Sequence, residues 1–121
     1  MDPLHNFATN LKVWSRRFGI QDLSPKVQRI AAEAGGRALG RQTAIWAVAV
    51  EYFVRAKLHP ELAKDCAAVA ALDVYQGVYY PEERAPAVGL DESIVRNPQA
   101  MEAIERFCRE ARAAYAREKS G

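Results

Sequence analysis

The 121-residue sequence predicts an all-α fold, a compact bundle of about five helices around a central apolar helix at about residues 41–58. Three observations carry that expectation. Apolar residues recur at spacings of three and four, the period of an amphipathic helix. Pairs of a polar residue and proline punctuate the pattern, at Asp2-Pro3, Ser24-Pro25, His59-Pro60 and Asn97-Pro98, because proline suits the first helical turn. The run from Ala44 to Val54 is apolar nearly all round and contains no turn residue. A helix without a polar face has to be surrounded by others.

The first helix is delimited by Asp2 as cap and Gly19 as stop, and Leu4, Phe7, Leu11, Trp14 and Phe18 form its apolar stripe. Lys12, Arg16 and Arg17 fall largely off that stripe. Ser24-Pro25 opens a second helical pattern through Val27, Ile30, Ala31 and Ala34, which Gly35-Gly36 and Gly40 weaken, since each glycine costs roughly 1 kcal/mol relative to alanine. The central element follows, with Trp46 in its apolar run and Glu51 and Arg55 spaced to pair along it. His59 before Pro60 ends it, because a residue preceding proline is pushed out of the helical region.

Pro60 opens a fourth helix carrying Leu62, Cys66, Val69 and Ala70, with Gly77 as the expected stop. Tyr79 to Gly89 holds two prolines and no period, and reads as a loop. Asp91 caps a short helical turn through Val95. Asn97-Pro98 starts the last helix, with Met101, Ile104, Cys108, Ala111 and Tyr115 as its stripe and Phe107 alongside. Its solvated face is expected to carry Glu102–Arg106 and Glu105–Arg109 ion pairs, and residues 117–121 are expected to fray. One domain spanning 1–121 is expected from the length and the absence of a linker or repeat.

Half of the residues are apolar and about a quarter are charged, an ordinary globular balance, and the net charge of +2 is too small to indicate nucleic acid by itself. The distribution is uneven: residues 1–59 hold nine Lys/Arg against four Asp/Glu, and residues 60–121 hold eight against eleven. Cys66 and Cys108 have no second thiol or histidine at metal-ligand spacing, and both fall on apolar helix faces, which fits a reducing cytoplasm. The start Met1-Asp2-Pro3 has no signal-peptide pattern, and the longest apolar run is far short of the ~20 residues needed to span a bilayer.

No residue set points to catalysis. The histidines, His5 and His59, stand at a helix start and a helix junction, and no serine or cysteine sits in a G-x-S-x-G turn. Glu82-Glu83 and Asp91-Glu92 pair carboxylates, but no histidine joins them at the Glu-x-x-His spacing of helical di-metal sites. Gly35-Gly36-Arg37-Ala38-Leu39-Gly40-Arg41 lacks the lysine and Ser/Thr of a phosphate-binding loop and follows no predicted strand. No enzyme activity, cofactor or metal is therefore expected.

Two surfaces remain. Exposed tyrosines beside proline and charge favour partner contacts, which singles out Tyr79, Tyr80, Glu82, Glu83 and Arg84. Lys12, Arg16, Arg17, Lys26, Arg29, Arg37 and Arg41 could track a phosphate backbone if residues 25–41 form one helix. Within that segment Ile30-Ala31-x-x-Ala34-Gly35 is similar to the opening of a helix-turn-helix. The likeness ends where Gly36 and Arg41 replace buried apolar residues and no recognition helix follows. The sequence reads as a non-catalytic helical protein-interaction or assembly module that binds another protein or itself, self-association being a way to bury surplus apolar surface. The alternative is a nucleic-acid-binding protein using the basic face of residues 12–41. No membrane partner is expected.

Overall fold

A computed structural model describes residues 3–20, 23–25, 27, 29, 41–82 and 91–120. Among the described residues, five helices pack against one another: α1 (Pro3–Arg17), α2 (Arg41–Arg55), α3 (Pro60–Tyr79), α4 (Glu92–Val95) and α5 (Pro98–Ser120). No strand occurs among the described residues. The protein is an all-α bundle, as the hydrophobic period requires.

The end of α1 follows from Gly19, which adopts φ 66°, a left-handed conformation that costs glycine little. The Gly19 N–H donates to the Arg16 carbonyl at 3.0 Å and the Ile20 N–H to the Ser15 carbonyl at 2.9 Å, the paired bonds that close a helix C-terminus. Trp14 lies wholly inside, with Leu11 and Phe18 half-buried beside it. The cap expected from Asp2 and the side chains of Leu4, His5 and Phe7 lie outside the described residues. So do Lys26, the stripe residues Ile30, Ala31 and Ala34, and Gly35-Gly36. Helical backbone is present at Pro25, Val27 and Arg29, with Val27 buried.

Central placement of α2 agrees with its composition: Ala44, Ile45, Ala47, Val48, Ala49, Val50 and Phe53 are all buried, between α1 and α3. Three details differ from expectation. Trp46 is only partly buried, whereas Ile45 and Phe53 on the same helix are fully enclosed. Glu51 is enclosed, at 3 % exposure, so the helix carries a buried charge. The helix also stops at Arg55 rather than at Leu58. Lys57 takes φ 73°, and the Leu58 N–H reaches back to the Phe53 carbonyl at 3.1 Å, so a left-handed lysine closes α2 before His59-Pro60 is reached.

His59 then caps α3, its Nδ1 accepting from the Glu61 N–H at 3.3 Å and its carbonyl from the Ala63 N–H at 2.8 Å. Gly77 does not stop α3, contrary to expectation. The helix passes through it to Tyr79, and ends where Tyr80 precedes Pro81 and leaves the helical region, with φ −134°. The loop read as starting at Tyr79 therefore starts one residue later. Gly77 serves packing instead: a Cβ there would stand 3.2 Å from Arg112 Nη2, so its absence gives that guanidinium room to lie along α3 and pair with Asp73 at 2.6 Å.

Asp91 occupies the cap position of α4 by its backbone, since its carbonyl accepts from Ile94 and Val95, but its side chain makes no capping bond. Ile94 anchors this short turn in the core. Asn97 caps α5, its Oδ1 accepting from the Ala100 N–H at 3.1 Å. The innermost seam of α5 is Ala100, Ala103, Phe107, Cys108, Ala111 and Ala114, while Met101, Ile104 and Tyr115 are half-buried flanks. Helix α3 packs against both α2 and α5 and buries Ala63, Ala67, Ala70 and Ala71, with the Cys108 thiol of α5 4.0 Å from the Ala70 carbonyl. Helix α5 continues through residues 117–120, which were expected to fray.

Aromatic rings fasten the junction of α1, α2 and α5. Phe18 stacks on Phe107 with centroids 4.7 Å apart, and Tyr52 meets Phe107 edge-on at 5.3 Å.

Candidate binding surface

The tyrosines foreseen beside the loop belong to a larger cluster. Tyr75 and Tyr79 are one helical turn apart on α3, with ring centroids at 5.5 Å. Tyr80 folds back to bring its ring 5.5 Å from Tyr75, and their hydroxyls are 3.4 Å apart. Tyr115 of α5 meets Tyr79 edge-on at 5.8 Å. Tyr79 is half-buried in this arrangement and Tyr80 is 43 % exposed. The hydrogen bond to Tyr80 is the main reason that the Tyr75 phenol titrates above its ordinary value, with burial adding and Arg41 opposing. Glu82 is exposed; Glu83 and Arg84 lie outside the described residues.

Cations cover these rings. Arg41 lies 4.6 Å from the centre of Tyr79, and Lys119 stands 5.2 Å from that of Tyr115. Arg17 stacks 4.3 Å from the Trp14 ring and 5.2 Å from the Tyr115 ring. The tertiary structure thus joins residues that belonged to separate candidate sets: Arg41 of the basic face packs on Tyr79 of the loop set. A groove of about 540 Å³ runs beside the cluster, lined by Gly77, Val78, Pro81, Arg112, Tyr115, Ala116 and Lys119.

The basic face expected over residues 12–41 is divided. Lys12, Arg16, Arg29 and Arg41 are exposed, and Lys26 and Arg37 lie outside the described residues. Arg17 is not a solvated cation: its side chain is 9 % exposed, and Nε donates to Glu118 Oε2 at 2.8 Å. That bond is the main cause holding the Glu118 carboxyl below its ordinary value, with the charges of Arg17 and Arg16 acting in the same direction.

A second concavity was not foreseen. Arg17, Phe18, Arg106, Arg109, Glu110, Ala113 and Arg117 line about 480 Å³ between the end of α1 and the outer side of α5. The signal was present in the spacing of positions 106, 109, 113 and 117, which share one helical face. The structure shows the Glu102–Arg106 pair at 2.7 Å, whereas no ion pair forms between Glu105 and Arg109.

Both thiols are buried and unpaired with each other. Burial pushes Cys66 up to about 11 and Cys108 up to about 12, with Asp65 and Asp73 respectively adding to the effect. Among the described residues, no three His, Cys, Asp or Glu side chains converge on a point that could hold a metal. No described helix is long and apolar enough to cross a membrane. Comparison with known proteins gives no match: no family model, curated protein or solved structure aligns significantly with this chain.

Proposed function

We propose that this protein is a non-catalytic helical interaction module that docks another protein through the tyrosine-rich face. The observation that carries this is the convergence of Tyr75, Tyr79, Tyr80 and Tyr115 under Arg41 and Lys119, beside an open groove. Tyrosine and arginine dominate the energetic centres of protein interfaces, because each offers a large flat contact together with a polar end. Lys119 at the groove and Arg41 at its neighbouring ring favour a partner segment with acidic residues. Self-association has less support than the sequence offers it: Trp14, Ile45 and Phe53 are inside the bundle, and Tyr80 and Val95 are the large apolar side chains exposed among the described residues. A cytoplasmic setting belongs to the same reading, supported by two buried free thiols.

The test is affinity capture from native extract, with and without nuclease, using the wild-type chain, Tyr80→Ala/Lys119→Ala and Lys12→Ala/Arg16→Ala. A protein retained after nuclease treatment and lost with the Tyr80/Lys119 variant supports docking on this face. Capture that disappears with nuclease and with the Lys12/Arg16 variant would instead assign nucleic-acid binding to the basic face. Analytical ultracentrifugation of the same variants reads self-association separately.

A further inference from the structure

Arg106, Arg109 and Arg117 project from one face of α5, and Arg17 closes the same groove from the last turn of α1, beside the half-buried Phe18 ring. Among the described residues, four guanidinium groups and one carboxylate, Glu110, line this concavity, and Arg117 has a further interaction of its own. The neighbouring acids do not cancel this set evenly. Glu118 engages Arg17 through Nε and Nη2, and Glu102 engages one nitrogen of Arg106. Burial, with the Glu110 charge adding to it, raises the Tyr52 phenol above its ordinary value. Arg109 forms no hydrogen bond, ion pair or ring contact among the described residues.

Like charges one turn apart on a helix repel, so Arg106 and Arg109 on one face have a standing use for an anion between them. A concave wall with low-dielectric packing behind it focuses their field. Arginine, unlike lysine, offers paired N–H donors in a rigid fork that matches two oxygens of a tetrahedral anion. The space of about 480 Å³ lies within the range of small-molecule sites. We infer that the groove between α1 and α5 binds a phosphoryl group, free or carried on a small organic molecule, with Arg109 and Arg106 as its principal donors and Arg117 at the rim. Arg17 also touches the Tyr115 ring of the tyrosine-rich face, but the inference does not depend on the docking proposed for that face.

Isothermal titration of the full chain at constant ionic strength tests this, with inorganic pyrophosphate and a simple sugar phosphate as probes. Saturable binding is expected. Arg109→Ala should weaken it about tenfold or more, as loss of a charge-assisted hydrogen bond does. Arg109→Lys should recover only part of the loss, because a point charge lacks the fork, and Arg16→Ala outside the groove should leave binding unchanged. Circular dichroism should show both Arg109 variants folded. Binding of pyrophosphate alone assigns the site to a free anion; binding of both probes assigns it to the phosphoryl group whatever carries it. Absence of saturable binding, an Arg109→Ala variant that binds as wild type, or an equal loss in Arg16→Ala overturns the inference.

Discussion

Ser24 and Glu51 hold each other across 27 positions of sequence: the Ser24 N–H donates to Glu51 Oε1 at 3.3 Å, and its hydroxyl donates to Oε2 at 3.1 Å. The same hydroxyl accepts from the Val27 N–H at 3.4 Å, so it caps the helical start at Pro25 while tied to the middle of α2. Arg55 completes the arrangement from the next turn of α2, its Nε donating to Glu51 Oε1 at 3.1 Å. A buried carboxylate is tolerable because it has these donors.

Glu51→Ala removes the two bonds from Ser24 and the one from Arg55, and leaves the Ser24 N–H without its acceptor. Hydrogen bonds to charged groups contribute about 1.5–3 kcal/mol, so the variant should lose roughly 2–3 kcal/mol in urea denaturation. Glu51→Gln keeps the volume and one acceptor and should lose less. Equal losses in the two variants would show that the full carboxylate, and not side-chain volume or a single acceptor, is what position 51 supplies.

The two tryptophans should separate clearly. Trp14 is fully enclosed and Trp46 is partly exposed, so Trp14→Ala should cost about 3–5 kcal/mol and Trp46→Ala distinctly less. Equilibrium unfolding followed by far-ultraviolet circular dichroism gives the comparison without relying on the fluorophore removed. The reverse order would place the core on the other side of α2.

Gly77→Ala sets two effects against each other. Alanine gains about 0.8–1 kcal/mol over glycine inside a helix. Against that, the new methyl must displace the end of Arg112 from 3.2 Å, disturbing an ion pair with Asp73 in which both side chains are half-exposed. Such pairs are worth about 0–1 kcal/mol, and the end of an arginine moves readily. A neutral to slightly stabilising effect is expected; a thermal midpoint lowered by several degrees would mean that Arg112 cannot give way.

Alkaline pH should destabilise the protein through its thiols. In the unfolded chain they titrate near 9.0, while in the folded chain Cys66 and Cys108 keep their protons to about 11 and about 12. Above pH 9 the unfolded state has lost protons that the folded state retains, so stability falls through that window by up to about 1.4 kcal/mol per pH unit for each thiol. Cys66→Ala/Cys108→Ala should make the decline shallower. At pH 8 both thiols should also react slowly with a thiol reagent until denaturant is added.

What the sequence determined by itself is the set of features that act within a turn or two of chain. Gly19 as the α1 stop, His59 and Asn97 as caps, and the apolar run of α2 were all legible, because capping and hydrophobic period depend on neighbours three to five residues away. The tertiary structure decided the features that depend on where separate helices come to lie. Gly77 carries the marks of a stop, yet α3 continues through it with Val74 and Val78 buried on either side, and Arg112 of α5 lies where its side chain would be. Glu51 is spaced to pair with Arg55 along one helix, yet Ser24 also reaches it from another element and makes its burial tolerable. The candidate surfaces divide in the same way. Tyr79, Tyr80 and Arg41 could be marked as residue types, but their stacking, the contribution of Tyr115, and the meeting of Arg17 with the arginines of α5 arise only from packing. Ring and guanidinium contacts reach 4–6 Å across helix interfaces, and no periodicity within one helix encodes which partner will be found there.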